Sequence, residues 1–482
     1  MPDLRPILFV NGLLLAILSV AMLVPALVDA TLRNPEWETF LGTSAFTLFV
    51  GGALTLTNRS AGSRLNVRQA FLLVTSAWVL IALFGALPFI FSPIAMSFTD
   101  AFFEAMSGIT TTGSTVIVGL DSVPEGLLMW RAILQWLGGV GIVVIAIAIM
   151  PMLRVGGMQL LSLESSDTSE KALPRAASIA FGIGGIYLLL TLACAVFYWL
   201  FGMAGFDAVA HAMTTIATGG FSTTDRSFAA FDHAGVQWTG VVFMLLGSLP
   251  FVLYLRAVRG DLMALLEDSQ VRWFFGAVSL FVLIMIAWLV LEQGFAVGWS
   301  VRHAAFNIVS ILTGTGYVAS DFGLWGGFAL TIFFLIMFVG GCAGSTTCGI
   351  KIFRFQILYE TARTQFSRLL QPHGVFIPYF NRHPISDEIS NSVLGFFYLY
   401  IAVFALLAGI LGLIGLDFVT SLSGAATAIS NVGPGLGDII GPTGTFASLP
   451  DSAKWSLAAG MLLGRLELFT VLVLFLPSYW RS

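Results

Sequence analysis

The chain has 482 residues, of which 57% are hydrophobic and 10% are charged. Soluble domains carry about 25% charged residues, so this composition excludes an ordinary soluble protein, and a chain this apolar is not disordered. With 22 Lys and Arg against 26 Asp and Glu, the net charge of −4 excludes a basic nucleic-acid-binding protein. Three irregularly spaced cysteines indicate neither a disulfide framework nor a zinc site. The remaining class is an α-helical protein with several membrane spans.

Ten apolar segments are long enough to cross a bilayer, which takes about 20 residues. In chain order they are Ile7–Val28, Phe40–Leu56, Gln69–Phe91, Trp130–Leu153, Ala176–Met203, Val236–Leu255, Val271–Leu291, Trp325–Val339, Ile389–Gly415 and Trp455–Pro477. Between them lie four apolar segments that are too short to cross: Phe98–Thr112, Phe206–Thr218, His303–Thr315 and Phe418–Ser430. Irregular backbone at membrane depth is tolerated only inside protein or along a cavity, so we predict that these four are re-entrant.

The distribution of Lys and Arg predicts the orientation, because cytoplasmic loops are enriched in both. With the N-terminus inside, sixteen of the 22 lie in inner segments, five lie outside, and Arg465 lies within a span. Fifteen acidic residues accompany the five outer basic ones, which makes the outer side attractive to cations. We therefore expect a cytoplasmic N-terminus and four re-entrant segments on the outer face.

The re-entrant segments end in related motifs, which we name loops 1 to 4. Loop 1 is Thr110–Thr115 (TTTGST), loop 2 is Ala217–Ser222 (ATGGFS), loop 3 is Thr313–Tyr317 (TGTGY) and loop 4 is Ser430–Gly435 (SNVGPG). Their central glycines, Gly113, Gly220, Gly316 and Gly433, are separated by 107, 96 and 117 residues. Because each central glycine lies between two spans, the sequence predicts a unit of span, pore loop and span that is used four times.

This organisation divides the chain into six parts. Two extra spans occupy 1–57, repeats 1 to 3 cover 69–153, 176–256 and 271–350, a basic cytoplasmic linker covers 351–388, and repeat 4 covers 389–480. Each repeat crosses the membrane twice, so successive repeats have the same orientation. That favours a central pore over the inverted repeats of an alternating-access transporter. The predicted fold class is an all-α polytopic membrane protein with four span–pore-loop–span repeats around a central pore, after two extra helices.

The four loops contain the oxygen atoms that a dehydrated monovalent cation needs as ligands. A conducting path must replace hydration water with protein oxygens, and glycine lets successive carbonyl groups turn toward one axis. Thr111, Thr112 and Thr315 can add hydroxyl oxygens. The short helix before each loop points its negative C-terminal end at the ion. The four loop cores contain no acidic residue, which would favour divalent ions.

Each loop is a degenerate relative of the Thr-Val-Gly-Tyr-Gly filter of potassium channels, and together they resemble those of the Trk/Ktr/HKT superfamily of cation transporters. The two extra spans and the stretch VGGCAGSTTCGIK, Val339–Lys351, look like its bacterial TrkH/TrkG branch. The resemblance covers the whole chain. It implies potassium uptake across the bacterial inner membrane, usually by a homodimer in contact with lipid, without a bound cofactor. It also implies gating by a cytosolic TrkA-type subunit that binds NAD and ATP.

Carried over residue by residue, the resemblance assigns the potassium filter to a triplet in each loop. The triplets are Thr111, Thr112 and Gly113; Thr218, Gly219 and Gly220; Gly314, Thr315 and Gly316; and Asn431, Val432 and Gly433. Glycine at every central position is the potassium-type pattern of the family, whereas sodium-selective relatives have serine. Ser114 and Pro434 stand where potassium channels have an aromatic residue, so the predicted ring departs from four-fold symmetry.

The glycine-rich segment, which we define as Val339–Lys351, is the candidate gate. Glycines this dense break a helix, and the segment is either a closely packed helix end or a flexible barrier under the filter that a partner moves aside. The resemblance supports the barrier. The candidate gate residues are Gly340, Gly341, Gly344, Ser345, Thr346, Thr347, Gly349 and Arg465.

Arg465 is charged within a predicted span, where a charge costs about 2.5–3.5 kcal/mol on insertion scales. Glu467 is two residues away, which is the wrong spacing for a pair on one helix face. Arg465 therefore either faces the ion path or the glycine-rich segment as a positive barrier, as in the family, or pairs with loop carbonyl groups in packing.

Three classes of function are compared. A channel-like potassium uptake subunit with a continuous filter and a regulated gate fits the four loops best. A symporter that couples potassium to protons or sodium by alternating access is the alternative. A membrane enzyme is disfavoured, because the five histidines lack paired i, i+4 metal spacing and no Gly-x-Ser-x-Gly motif occurs.

Overall fold

The computed structural model describes residues 3–59, 65–148 and 172–481. Seven of its helices are long and apolar enough to cross a membrane: Arg5–Thr31, Trp37–Thr57, Val67–Phe91, Glu125–Ile145, Ile179–Leu200, Ser269–Leu291 and Asp387–Ile414. The expected all-α polytopic membrane protein is confirmed. The end of the predicted span Trp130–Leu153 beyond residue 148 lies outside the described residues, as do the predicted inner charges Arg154, Glu164, Asp167, Glu170 and Lys171.

Two predicted spans are broken. Helices Ala234–Gly247 and Phe251–Val258 meet at 92°, where the sequence analysis placed one span over Val236–Leu255. Between them Pro250 has no amide hydrogen with which to continue the helical hydrogen-bond ladder, and its φ is confined by its ring. Hydropathy located the apolar segment, but it did not predict the bend at Pro250.

The last predicted span, Trp455–Pro477, is likewise not one helix. Helix Asp451–Arg465 and the helical turns of Phe469–Phe475 meet at 107°. Glu467 and Leu468 lie between them with positive φ values of 60° and 52°. Non-glycine residues adopt this backbone at a cost, so tertiary contacts must hold the bend.

The predicted span Trp325–Val339 contains only a ten-residue helix, Gly327–Ile336. It is followed by two-residue strands, Val339–Gly340 and Ile350–Lys351, which pair in parallel at the two ends of the glycine-rich segment. A second pair, Tyr379–Phe380 and His383–Pro384, is antiparallel. These short strands are the departures from an otherwise helical fold within the described residues.

Four short helices occupy the predicted re-entrant segments. They are Phe98–Ile109, Gly205–Ile216, Val297–Leu312 and Phe418–Ser430, and we name them short helices 1 to 4. Ser97 and Asp417 cap short helices 1 and 4 by accepting hydrogen bonds from backbone amides of the first turn. Their C-terminal halves are buried almost all round, which places each helix end inside the protein.

The other helices and turns connect the membrane-spanning helices and the short helices. The remaining α-helices are Met263–Glu267, Ile352–Leu370, Gly437–Ile440 and Pro477–Trp480, and 3₁₀ turns cover Leu120–Ser122, Ser227–Ala230 and Phe322–Leu324. Helices Glu125–Ala148 and Ala172–Leu200 are described over these bounds. The first two helices pack on each other and on the helices that flank short helix 1, so they lie beside the four short helices rather than among them.

Candidate ion pathway

Loops 1, 2 and 3 approach one another so closely that their glycines leave no room for side chains. A Cβ atom added to Gly113 in loop 1 would overlap the carbonyl oxygen of Gly219 in loop 2. One added to Gly220 in loop 2 would overlap the carbonyl oxygen of Thr315 in loop 3. Glycine therefore allows direct backbone contact between neighbouring loops.

Loop 4 contacts both loop 3 and loop 1. A Cβ atom on Gly316 would lie 2.8 Å from the amide nitrogen of Gly433, and one on Gly433 would lie 3.1 Å from the carbonyl oxygen of Gly113. The hydroxyl of Ser114 also donates to the Gly433 carbonyl oxygen at 2.8 Å. The contacts thus run in the order 1–2–3–4–1, which is a closed ring of four backbone segments.

The triplets share an unusual backbone. The first residue of every triplet has a positive φ: Thr111 at 52°, Thr218 at 49°, Gly314 at 75° and Asn431 at 53°. The third residue is also left-handed in loops 1, 2 and 3, with φ of 86°, 82° and 82° at Gly113, Gly220 and Gly316. A β-branched threonine rarely adopts this backbone, and strain of this kind concentrates at functional sites.

Gly433 is the exception among the central glycines, because its φ lies outside the left-handed region. Space rather than torsion requires glycine there. An added Cβ would also lie 3.2 Å from the carbonyl oxygen of Thr112. The ring is therefore asymmetric in backbone at loop 4, next to Pro434.

Threonine hydroxyls brace loops 1 and 3 in the same way. The hydroxyls of Thr110 and Thr112 lie 2.8 Å apart, and so do those of Thr313 and Thr315. The Thr112 hydroxyl also accepts from the Asn431 side chain of loop 4 at 3.0 Å. Within the described residues the buried hydroxyl of Thr111 has no hydrogen-bond partner. Of the three hydroxyls proposed for the ion, two are engaged with protein.

Gln135 holds loop 2 from behind and was not anticipated from the sequence. Its side-chain nitrogen donates to the carbonyl oxygen of Gly219 at 2.6 Å, and its oxygen accepts from the amide of Phe221 at 3.0 Å. The Gly219 carbonyl group is therefore bonded to protein. The available signal was an amide side chain within a predicted apolar span, since a buried polar group needs a partner.

The two ends of the triplets have different surroundings. A cavity of about 80 Å³ is lined by all four third-position glycines together with Arg131 and Asp225. The glycine-rich segment instead contacts first positions: the Thr218 hydroxyl donates to that of Thr346 at 3.2 Å, and the amide nitrogen of Cys348 lies 3.8 Å from a Cβ built on Gly314. The ring therefore lies between an open cavity and the glycine-rich segment.

The glycine-rich segment is buried and is tied to its surroundings by hydrogen bonds. The Thr346 hydroxyl lies 3.0 Å from the carbonyl oxygen of Ile216 and 2.9 Å from that of Gly247. Ser345 donates to the Cys342 carbonyl oxygen at 2.6 Å and is 2.8 Å from the hydroxyl of Thr347. Gly340 and Gly341 have no space for a Cβ, whereas Gly344 and Gly349 have positive φ.

Arg465 contacts the glycine-rich segment directly and is 1% exposed. Its guanidinium donates to the carbonyl oxygen of Thr346 at 3.1 Å, to the sulfur of Cys348 at 2.6 Å and to the carbonyl oxygen of Gly138 at 2.7 Å. It also lines a cavity of about 20 Å³ with the segment. Arg465 is thus a buried cation bonded to carbonyl groups of the segment and of helix Glu125–Ala148, next to a small cavity.

Lys351 and Arg354 were counted as part of a basic linker, but the structure buries both. The Lys351 ammonium donates to the carbonyl oxygen of Thr347. Arg354 forms an ion pair with Glu467, and its guanidinium carbon lies 3.8 Å from the centre of the Phe396 ring. Glu467 therefore pairs with Arg354 and not with Arg465. A carboxylate inside a predicted span was the signal that a partner must exist.

Comparison with known proteins decides the family. The profile described as "TrkH: Cation transport protein" matches residues 37–482. The chain belongs to the TrkH family. This is a family of cation transporters and not of enzymes, and its members are similar to this chain over nearly its whole length.

Among curated relatives, the Trk system potassium uptake protein TrkI of Halomonas elongata is 46% identical, over 99% of this chain and 97% of its own. The Trk system potassium uptake protein TrkH of Escherichia coli is 38% identical over 99% of both chains. The crystal structure of the potassium transporter TrkH from Vibrio parahaemolyticus matches with a TM-score of 0.93 and 37% identity, covering 100% of both chains. The resemblance inferred from the loops is confirmed.

Proposed function

We propose that this chain conducts potassium ions into the cell through the ring of four loops. The observation that carries the proposal is the closed order of backbone contacts, with a left-handed residue at the first position of every triplet. Four backbone segments around one axis supply oxygens that replace hydration water, and neutral oxygens release a monovalent ion readily. The names of the relatives, which are potassium uptake proteins, support potassium as the ion.

The proposed filter consists of the four triplets. The buried, unpartnered hydroxyl of Thr111 and the backbone carbonyl groups of the triplets are the proposed ion ligands. The Gly219 and Gly433 carbonyl groups are exceptions, because Gln135 and Ser114 already donate to them. The cavity of about 80 Å³ is the proposed entrance. Residues of all four loops line it, so an ion in the cavity can reach the ring.

The glycine-rich segment and Arg465 form the proposed gate. The segment contacts the end of the ring opposite the entrance, and Arg465 adds a positive charge beside it. A cation leaving the ring meets both the backbone of the segment and the electrostatic repulsion of Arg465. Opening then requires the segment to move and Arg465 to lose its carbonyl partners.

We place the protein in the bacterial inner membrane with its N-terminus in the cytoplasm, since this orientation puts most Lys and Arg inside. A homodimer and a cytosolic TrkA-type subunit that binds NAD and ATP complete the proposed system. The names of the relatives support further components, because they describe uptake proteins of a Trk system. Cytoplasmic residues near the glycine-rich segment are where such a subunit would act on the gate.

The test is transport by the purified protein in liposomes and in planar bilayers. We expect potassium flux that needs no proton or sodium gradient, a preference for potassium over sodium, and unitary current steps once the gate is open. Slow, gradient-coupled uptake without unitary steps would establish the symporter instead. Absence of potassium flux from a variant without the glycine-rich segment would contradict conduction through the ring.

A further inference from the structure

A buried ion pair lies immediately behind loops 1 and 2. Arg131, on helix Glu125–Ala148, and Glu104, on short helix 1, are 1% and 0% exposed, and the Arg131 Nε lies 2.8 Å from the Glu104 Oε1. Removing two charges from water is costly, and a well-packed apolar pair would often be as stable. The pair therefore calls for a reason beyond stability, and its other contacts supply one.

Within the described residues, the other hydrogen bonds of Glu104 go to the end of loop 1 and to the residue that follows it. The hydroxyl of Thr115, the last residue of loop 1, lies 3.0 Å from each carboxylate oxygen of Glu104. The amide of Val116 donates to the same carboxylate at 3.0 Å. Glu104 thus fixes the point where loop 1 leaves the ring, with charge-assisted hydrogen bonds that are shorter and stronger than neutral ones.

The remaining contacts of Arg131 join loop 2 to loop 1. Its Nη1 donates to the carbonyl oxygen of Ser222 at 2.8 Å, and its Nη2 donates to the Thr115 hydroxyl at 3.2 Å. The guanidinium carbon also lies 4.1 Å from the centre of the Phe221 ring. Phe221 and Ser222 directly follow Gly220, so the planar guanidinium sets the distance between the exits of the two loops.

This distance controls the ring because Gly113 and Gly219, which are in direct backbone contact, lie only two or three residues before these exits. A lateral shift of either loop exit therefore changes where the neighbouring carbonyl oxygens lie. We infer that the Glu104–Arg131 pair is a positioning device that sets the spacing of loops 1 and 2 and thereby the discrimination of potassium from sodium. The inference rests on the proposed function of the ring as a filter.

Charge balance is a separate role that the pair could have. Arg131 lines the cavity of about 80 Å³, so its charge faces the proposed entrance and Glu104 neutralises it. Removing the charge of Glu104 alone changes both the spacing of the loops and the net charge at the cavity. Removing the charges of Glu104 and Arg131 together changes the spacing of the loops only. The double variant therefore separates the two roles.

The experiment measures the potassium-to-sodium permeability ratio of purified protein in liposomes. For Glu104→Gln we expect lower flux and a ratio that falls about tenfold, the effect of losing one charge-assisted hydrogen bond. For the double variant Glu104→Gln/Arg131→Met we expect flux to recover while the ratio stays low. A wild-type ratio in the double variant would overturn the inference and leave only charge balance.

Thr115→Val supplies a variant that keeps both charges. It removes the hydroxyl shared by Glu104 and Arg131 without changing side-chain volume, and we expect a smaller fall in the ratio with normal expression. If Glu104→Gln does not fold, this variant alone decides: an unchanged ratio contradicts the inference.

Lys454 and Asp100 provide the matched control. Lys454 is 4% exposed and its ammonium lies 2.6 Å from the Asp100 Oδ1, but the pair joins helix Asp451–Arg465 to the start of short helix 1, away from the loops. Lys454→Met is expected to lower thermal stability and to leave the permeability ratio unchanged. Wild-type protein without potassium selectivity would refute the proposed function itself, whereas selective wild type with unaltered variants would refute only this inference.

Discussion

The ring of loops and the glycine-rich segment have similar compositions but are held in different ways. Both are buried, non-helical and rich in glycine and threonine. Gln135 and the Glu104–Arg131 pair hold loops 1 and 2 of the ring from behind, and backbone contacts join all four loops. The segment contacts the ring through the hydroxyl of Thr346. It is held to helices outside the ring by Arg465 and by backbone hydrogen bonds to Gly247, Ser248 and Phe251.

This difference fits two mechanical roles. A filter discriminates between ions of similar size only if its oxygens keep their positions, which many short contacts ensure. A gate must exchange its contacts for others at modest free energy, and neutral backbone hydrogen bonds, which contribute about 1 kcal/mol net each, can be exchanged in this way. We expect perturbations of the ring to change selectivity, and perturbations of the segment to change basal flux.

The largest expected effect is on the ring itself. Gly113→Ser and Gly316→Ser place a Cβ where the neighbouring loop's backbone lies, at positive φ, so loop spacing must change. We expect the potassium-to-sodium permeability ratio to fall at least about tenfold, equivalent to about 1.4 kcal/mol. Gly276→Ser, on a helix position with open space around it, is the control and keeps the ratio. Unchanged ratios in both ring variants would falsify the filter assignment.

Deletion of Gly341–Gly349 tests the segment as a barrier. Because the deletion removes Thr346 and Cys348, which contact Thr218 and Gly314, we expect basal potassium flux to rise without any partner, while the permeability ratio is retained. Flux into liposomes, measured with and without a potassium ionophore, reports both. A deletion variant as closed as the wild type would show that the barrier lies elsewhere.

Arg465→Gln is expected to have an intermediate effect on the gate. The substitution keeps a donor but loses the charge and the contacts with Thr346, Cys348 and Gly138. A hydrogen bond to a charged group contributes about 1.5–3 kcal/mol, so basal flux is expected to rise about tenfold or more. Arg256→Gln, which removes an exposed ion pair with Asp261, is the control. Basal flux equal to that of the control would argue against Arg465 as part of the gate.

Thr346→Val has the smallest expected effect. It is nearly isosteric and removes the hydroxyl that links the segment to loop 2 and to the carbonyl oxygens of Ile216 and Gly247. Neutral hydrogen bonds contribute about 1 kcal/mol net, which corresponds to a roughly fivefold rise in basal flux. A fall in selectivity with no change in basal flux would mean that Thr346 belongs functionally to the ring.

The fold class and the short helices were predictable because they depend on local pattern. Hydropathy over about 20 residues identifies a span wherever it occurs, and short helix 4, Phe418–Ser430, has the predicted bounds. The bends at Pro250 and at Glu467 were missed, because hydropathy averages over a window and is insensitive to one residue's φ. Pro250 gave a usable signal at the first bend. At the second bend, residues without a special backbone preference, Glu467 and Leu468, adopt positive φ values.

The residues that support the candidate site were less accessible to sequence reasoning. The sequence analysis counted Arg131 as an outer basic residue and Arg354 as part of the basic linker, although both are buried in ion pairs. Their partners, Glu104 and Glu467, lie 27 and 113 residues away. A charge in an apolar segment indicates that some partner is required. The distance along the chain does not reveal which residue that partner is.

The amino-acid order by itself determined which segments enter the membrane and which four motifs carry glycine where a side chain would intrude, because those properties belong to short stretches of chain. Tertiary structure alone decided that the motifs touch in the order 1–2–3–4–1, that Gly433 is needed for space and not for its torsion, and that Gln135 and Arg131 stand behind loop 2. The physical reason is that these contacts join backbone and buried polar groups from different helices, whose hydrogen bonds form only after the helices have packed.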